Sequence, residues 1–179
     1  MKLKDESGKI EFDFTGFIKA EHYDTYDNQC AGLKIVDLYA ENESHHFFIE
    51  VKNYANISDS PVIQAAMNKR QEVDYRMLTH HEAAFPLEIG MTFKDSLLRC
   101  LASGKEFVKP IKLLLVINPP PELQARDRER LVTRIRNGYI PSDMHKKAGR
   151  YPKIPELFFD MPYIPEINEQ YGFGVSVID

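Results

Sequence analysis

Ile10, Phe12 and Phe14 alternate with Glu11 and Asp13, a period of two that predicts a strand with one buried face. From there to Tyr26 the pattern fits a strand or a helix equally. After Gly32, the run Leu33 to Ala40 is rich in β-formers. Glu41-Asn42-Glu43-Ser44 is a polar turn, and His46 to Tyr54 carries Phe47, Phe48, Ile49 and Val51. Two apolar runs joined by a short polar turn predict a β-hairpin. Ser60-Pro61 fits an N-cap and the first helical position, and predicts a helix to about Glu82. Thr92-Phe93-Lys94-Asp95 has the form of a capping box with Asp in place of Glu, and predicts a second helix that stops at Gly104. The apolar stretch within Lys112 to Asn118 predicts a buried strand. Pro119-Pro120-Pro121 ends it, and a charged helix follows over about Glu122 to Asn137. Pro141 to Pro165 is Pro-rich with aromatics, and Phe173 to Ile178 predicts a last strand.

Strand, hairpin, helix, helix, strand, helix, strand is the order of an α/β protein. It predicts a central mixed β-sheet, with the hairpin in it and helices on its faces. No Gly-x-Gly-x-x-Gly and no Walker loop occurs in the chain, so a pure Rossmann fold is not expected. At 179 residues, with 43% apolar and 28% charged side chains, residues 1–179 read as a single globular domain. The longest apolar run, Leu113 to Ile117, is too short for a bilayer, and the first residues lack the apolar core of a signal peptide. Two cysteines, Cys30 and Cys100, cannot build a four-cysteine metal site. A cytoplasmic protein without a membrane partner is the expectation.

The net charge of −4 argues against a wholly basic nucleic-acid-binding surface. The charge is nevertheless patterned. Between Arg126 and Lys153 nine basic residues face three acids, whereas Ile154 to Asp179 has five acids and no Lys or Arg. Arg126, Arg130 and Arg134 recur every four positions and form one helical stripe. That stripe reads either as a solvated face or as a row of phosphate contacts. Lys146 and Lys147, followed by Arg150 and Lys153 and interleaved with Tyr139 and Tyr151, suit a backbone-and-base-stacking arm. Lys94 near a helix start is a further candidate phosphate contact.

The hairpin carries the chemistry. Glu50 and Lys52 flank Val51 and share one face of their strand. Charges on one face of a largely apolar strand are costly unless they are paired or bind a cation. Asp37 lies on the partner strand, thirteen positions before Glu50, and a slight register offset brings the two carboxylates together. Such a pair repels unless a cation sits between its members. Hard oxygen ligands, with a backbone carbonyl such as that of Val51, suit Mg2+ or Mn2+. An adjacent Lys can steady an attacking water or stabilise charge on a phosphorane.

Asp37 followed by Glu50-Val51-Lys52 resembles the PD-(D/E)XK nuclease superfamily, firmly over about Lys34 to Tyr54 and elsewhere by element order. The resemblance implies the restriction-endonuclease-like fold and metal-dependent phosphodiester hydrolysis. Asp37, Glu50 and the Val51 carbonyl would be metal ligands, and Lys52 would orient or activate the nucleophilic water. Val36 stands where the family name has proline. The acidic residue that the family carries before the hairpin would be Glu21. Gln71-Glu72-Val73-Asp74-Tyr75 matches a Gln-x-x-x-Tyr motif of some branches, with Gln64 the nearer alternative for a substrate-orienting group. Nucleic acid is the implied partner, DNA ahead of RNA by family tendency. With little room for a specificity domain, sequence preference would come from loops, a homodimer partner or a larger complex. The other reading is a catalytically silent domain of the same fold, acting as a nucleic-acid or protein interaction module.

Competing readings are weaker. A cross-strand salt bridge on a solvent-facing sheet would also explain Asp37, Glu50 and Lys52, but Phe47, Phe48 and Ile49 mark a strand covered on both faces. His45-His46 and His80-His81 lack a His-Glu-x-x-His or Cys-x-x-Cys companion, and adjacent strand residues face opposite sides.

Overall fold

The computed structural model describes residues 1–6, 8–24, 33–53, 84–118, 128–129, 132–133, 135–136 and 156–178. In chain order these form β1 (Lys2–Lys4), β2 (Ile10–Asp13), β3 (Lys19–His22), β4 (Leu38–Glu41), β5 (His46–Asn53), α1 (Ala84–Ala102), β6 (Ile111–Asn118), β7 (Leu157–Asp160), α2 (Ile164–Gln170) and β8 (Gly174–Val177). Residues 128–129, 132–133 and 135–136 are helical, in keeping with the charged helix expected there.

The architecture is α/β with a mixed sheet. Five strands run in the order β3-β4-β5-β6-β7, and three more form a separate sheet, β1-β2-β8. In the larger sheet β3, β4 and β5 are antiparallel neighbours, whereas β5, β6 and β7 run parallel. Central strand β6 is apolar in a nearly unbroken run, and β5 is apolar over Phe47–Ile49, because both faces are covered there. On one face Leu38, Ala40, Phe47, Ile49, Leu114 and Val116 pack with Ile10, Phe12 and Phe14 of the smaller sheet and with Ile167 of α2. On the other, Tyr39, Phe48, Leu113, Leu115 and Ile117 pack with Ile89, Phe93, Leu97 and Cys100 of α1. Full burial of such a side chain stabilises by roughly 1.5–3 kcal/mol.

Helix α1 is amphipathic. Ile89, Phe93, Leu97 and Cys100 form its buried stripe, and Met91, Lys94, Leu98 and Leu101 are exposed. It begins at Ala84, not at Thr92. Pro86 sits in its first turn, where the missing N–H has no intrahelical partner to lose. Thr92 is therefore no cap: it lies mid-helix and its Oγ1 donates to the Glu88 carbonyl at 3.0 Å. The helix ends as expected from Gly104, whose φ of +76° favours glycine. There Lys105 N–H returns to the Cys100 carbonyl at 3.0 Å.

The first strand of the hairpin is shorter than its β-formers predict. Pairing starts at Leu38, and residues 33–36 leave the sheet because α1 takes their N–H groups: Asp95 Oδ2 accepts from Lys34 N (3.0 Å) and Ser96 Oγ from Val36 N (2.9 Å). The ambiguous segment after β2 supplies strand β3. Strand β7 and helix α2, which the Pro-rich reading did not separate, close the 156–170 region. Pro165 lies at the start of α2, and Glu166 Oε2 accepts from Tyr163 N at 2.7 Å. The helix expected from Ser60 to Glu82 lies outside the described residues.

Candidate functional site

Strands β4 and β5 pair Leu38 with Ile49 and Tyr39 with Phe48. Continuing that register by one position puts Asp37 directly across from Glu50, with no offset needed. Directly opposite residues have Cβ atoms roughly 4.5–5.5 Å apart. Asp37 is anchored to the neighbouring strand, since its Oδ2 accepts from Val51 N at 2.5 Å. Its backbone carbonyl accepts from Tyr23 N at 2.8 Å, which ties the residue to the end of β3.

Glu50 follows Phe48 on the face that α1 covers and is 5% exposed. Its Oε1 accepts from Lys52 Nζ at 2.8 Å. Its Oε2 is buried and has no hydrogen-bond partner among the described residues. Burial, and then the Asp37 charge, push the Glu50 carboxyl up to about 7. Asp37 is pushed up to about 6 by burial, against the opposing pull of the Val51 N–H and Lys52. The Asp37 charge is felt at Glu50 across the strand pair, so the two carboxyls titrate as a pair. A carboxylate buried this deeply is not a solvent-facing salt bridge, so that reading of the hairpin charges does not describe it.

Lys52 reaches a second carboxylate. Glu88 Oε1, on α1, lies 3.4 Å from Lys52 Nζ and 3.7 Å from Lys34 Nζ. Sequence reasoning missed Glu88 because it placed the helix start at Thr92. The signal available was the polar series Glu88, Thr92, Asp95, Ser96, which falls on one side of a continuous helix beside the buried stripe. Buried Thr92 and Ser96 are satisfied along this series, Ser96 Oγ donating to the Thr92 carbonyl at 2.7 Å. Helix α1 thus supplies Glu88 to the site and fixes the segment that leads into Asp37.

The remaining candidates are placed differently. Glu21 lies on β3 opposite Tyr39, and its carboxylate pairs with Lys19 Nζ at 2.7 Å. It is two register positions along the sheet from Asp37. Lys94 is exposed on α1, six residues past Glu88 and so about 120° around the helix. Gln64, Gln71, Arg126, Arg130, Arg134, Lys146 and Lys147 lie outside the described residues. Arg128, between them in sequence, is committed to the fold: its guanidinium makes two hydrogen bonds to Glu166, of 2.8 and 2.6 Å. His80 and His81 lie outside the described residues. His46 is buried, and its Nδ1 is 2.8 Å from the Tyr39 hydroxyl. Cys100 is buried as a thiol, 2.7 Å from the Tyr23 hydroxyl.

Among the described residues no group of three or more His, Cys, Asp and Glu side chains stands placed to hold a metal ion. Two carboxylates still suffice for Mg2+, which usually keeps several waters and takes one or two carboxylates plus substrate phosphate oxygens. The pair fits such a cation on a specific ground. Glu50 Oε2 is a buried carboxyl oxygen lacking a partner among the described residues, beside a second carboxyl group. A cation there would satisfy both. No helix among the described residues is long and apolar enough to cross a membrane. Comparison with known protein families, with curated proteins and with solved structures finds no match to this chain.

Proposed function

We propose that this chain is a divalent-cation-dependent nuclease of the restriction-endonuclease-like fold, hydrolysing phosphodiester bonds, in DNA ahead of RNA by the tendency of the family it resembles. The observation that carries the reading is buried Glu50 set across the strand pair from half-buried Asp37, with Lys52 beside it. Burial raises the protonation of both carboxyls, the Asp37 charge raises that of Glu50 further, and both shifts cost stability, an arrangement that makes sense when a cation is their partner. The order of the larger sheet supports the fold reading: the hairpin β4–β5 carries the pair, and β5 runs parallel to β6.

In this reading Asp37, Glu50 and the Val51 carbonyl hold Mg2+ or Mn2+. The cation supplies Lewis-acid polarisation of the phosphate and lowers the pKa of water. Lys52, 2.8 Å from Glu50, orients the attacking water and stabilises negative charge as the phosphorus becomes five-coordinate. Lys94 and the basic residues Arg126, Arg130, Arg134, Lys146 and Lys147 are candidate contacts to the phosphate backbone.

The test is cleavage of supercoiled plasmid, linear duplex and single-stranded DNA with Mg2+ or Mn2+. Wild type is compared with Asp37→Ala and Lys52→Ala. Cutting that requires the cation and disappears in both variants is the expected result. A folded wild-type protein that leaves all three substrates intact at high concentration, even with Mn2+, would overturn the nuclease in favour of a silent interaction module.

A further inference from the structure

We propose that Glu88 is a positioning residue for Lys52: it keeps the Lys52 ammonium at the site when Glu50 turns to a cation. The inference rests on the reading of Asp37 and Glu50 as cation ligands. Among the described residues, two carboxylates from different elements share Lys52 Nζ: Glu50 of β5 at 2.8 Å and Glu88 of α1 at 3.4 Å. The two holds differ in kind. Glu50 is buried, with one oxygen unpartnered among the described residues. A carboxylate that coordinates a divalent cation has less charge to offer a lysine, and the cation repels an ammonium group nearby. The Glu50 hold therefore weakens when the site is loaded. Glu88 is 41% exposed at its side chain and stands outside the Asp37–Glu50 pair, so its hold persists.

Lysine is a flexible four-carbon stem ending in a point charge. Catalysis by such a group depends on where its charge is kept. Glu88 is well placed to keep it. Its carbonyl is tied to Thr92, the Thr92 carbonyl to Ser96, and Ser96 to Val36 N, one residue before Asp37. One helix face thus sets both the approach to Asp37 and the second hold on Lys52. Lys34 Nζ, 3.7 Å from the same Glu88 oxygen, places that carboxylate between two ammonium groups and balances its charge.

The experiment has three readouts on the full chain. Steady-state cleavage with saturating Mg2+ compares wild type, Glu88→Gln, Glu88→Asp and Met91→Ala, the last an exposed position on the same helix. Calorimetric titration with Mg2+ is run on the same proteins. Lysine side-chain NMR follows Lys52 mobility in Glu50→Gln, which removes the Glu50 charge without any cation, and in Glu50→Gln/Glu88→Gln. The expected result is a kcat for Glu88→Gln lower by about tenfold or more, with KM and Mg2+ affinity little changed. Glu88→Asp recovers part of the loss, and Met91→Ala behaves as wild type. Lys52 stays ordered in Glu50→Gln and loosens in the double variant. An unchanged kcat in Glu88→Gln overturns the inference, as does a matching loss of Mg2+ affinity, which would make Glu88 a cation ligand. Equal Lys52 mobility in the single and double variants overturns it whether or not the protein cuts DNA. Absence of Mg2+ binding by wild type would instead sink the reading of Asp37 and Glu50, and the NMR comparison would still decide whether Glu88 holds Lys52.

Discussion

Glu50→Gln should make the cation-free protein more stable at pH 8, although it removes half of an ion pair. A glutamate whose carboxyl rises from 4.5 to about 7 on folding binds more protons folded than unfolded across that window. Stability therefore falls as pH climbs from 4.5 through about 7. The full loss is ~3 kcal/mol, at about 1.4 kcal/mol per pH unit. Glutamine keeps the shape and carries no charge, so the variant escapes this loss. Against that stands the Lys52 contact. Breaking a buried pair is costly where it strands a buried charge, but Lys52 is 24% exposed at its side chain and keeps Glu88 at 3.4 Å. The net gain is then about 1–3 kcal/mol at pH 8, and less than about 1 kcal/mol at pH 5. Urea unfolding followed by far-ultraviolet circular dichroism, in chelator at both pH values, reads this directly. With 10 mM Mg2+ the wild type should recover part of the gap, because a ligand of the native state stabilises by mass action. A Glu50→Gln protein less stable than wild type at pH 8 in chelator would refute the reasoning, for it would mean that Lys52 fully satisfies Glu50 and leaves nothing for a cation to do.

Other substitutions test the scaffold around the pair. Ser96→Ala removes the buried hydroxyl that accepts from Val36 N, and should cost about 1–3 kcal/mol in urea unfolding while lowering cleavage by loosening the approach to Asp37. Phe93→Ala, a fully buried ring of α1 whose centroid is 5.7 Å from that of Phe159, should cost about 3–5 kcal/mol through the cavity it leaves, read as a fall in Tm. Gly104→Ala meets no neighbour but must adopt a φ of +76°, so it should cost about 1 kcal/mol by strain alone with kcat unchanged.

The hairpin was legible because both faces of its sheet are covered. In a strand such as His46 to Asn53, Phe47, Phe48, Ile49 and Val51 leave Glu50 and Lys52 conspicuous. A period of two then assigns both to one face. The α/β class and mixed sheet followed from the same periodicities. What stayed hidden depends on contacts distant in sequence. Residues 33–36 have the letters of a strand, yet Asp95 and Ser96, some sixty positions later, take their N–H groups. Thr92-x-x-Asp95 mimics a helix start, and only the continuous turn from Ala84 shows Thr92 inside the helix and brings Glu88 to Lys52. Strand β7 has four residues within a Pro-rich stretch, too few for a period to register. Glu21 looked available as a third acid because sequence alone does not show that Lys19, two residues away on the same strand face, already holds it.

The most direct test of the central claim, that Asp37 and Glu50 are paired to hold a divalent cation, is a calorimetric titration of the full chain with Mn2+ at pH 8. The account predicts one cation per chain for wild type, with binding lost in both Asp37→Asn and Glu50→Gln while each variant remains folded. Binding that is absent in wild type, or that survives in both variants, would contradict it.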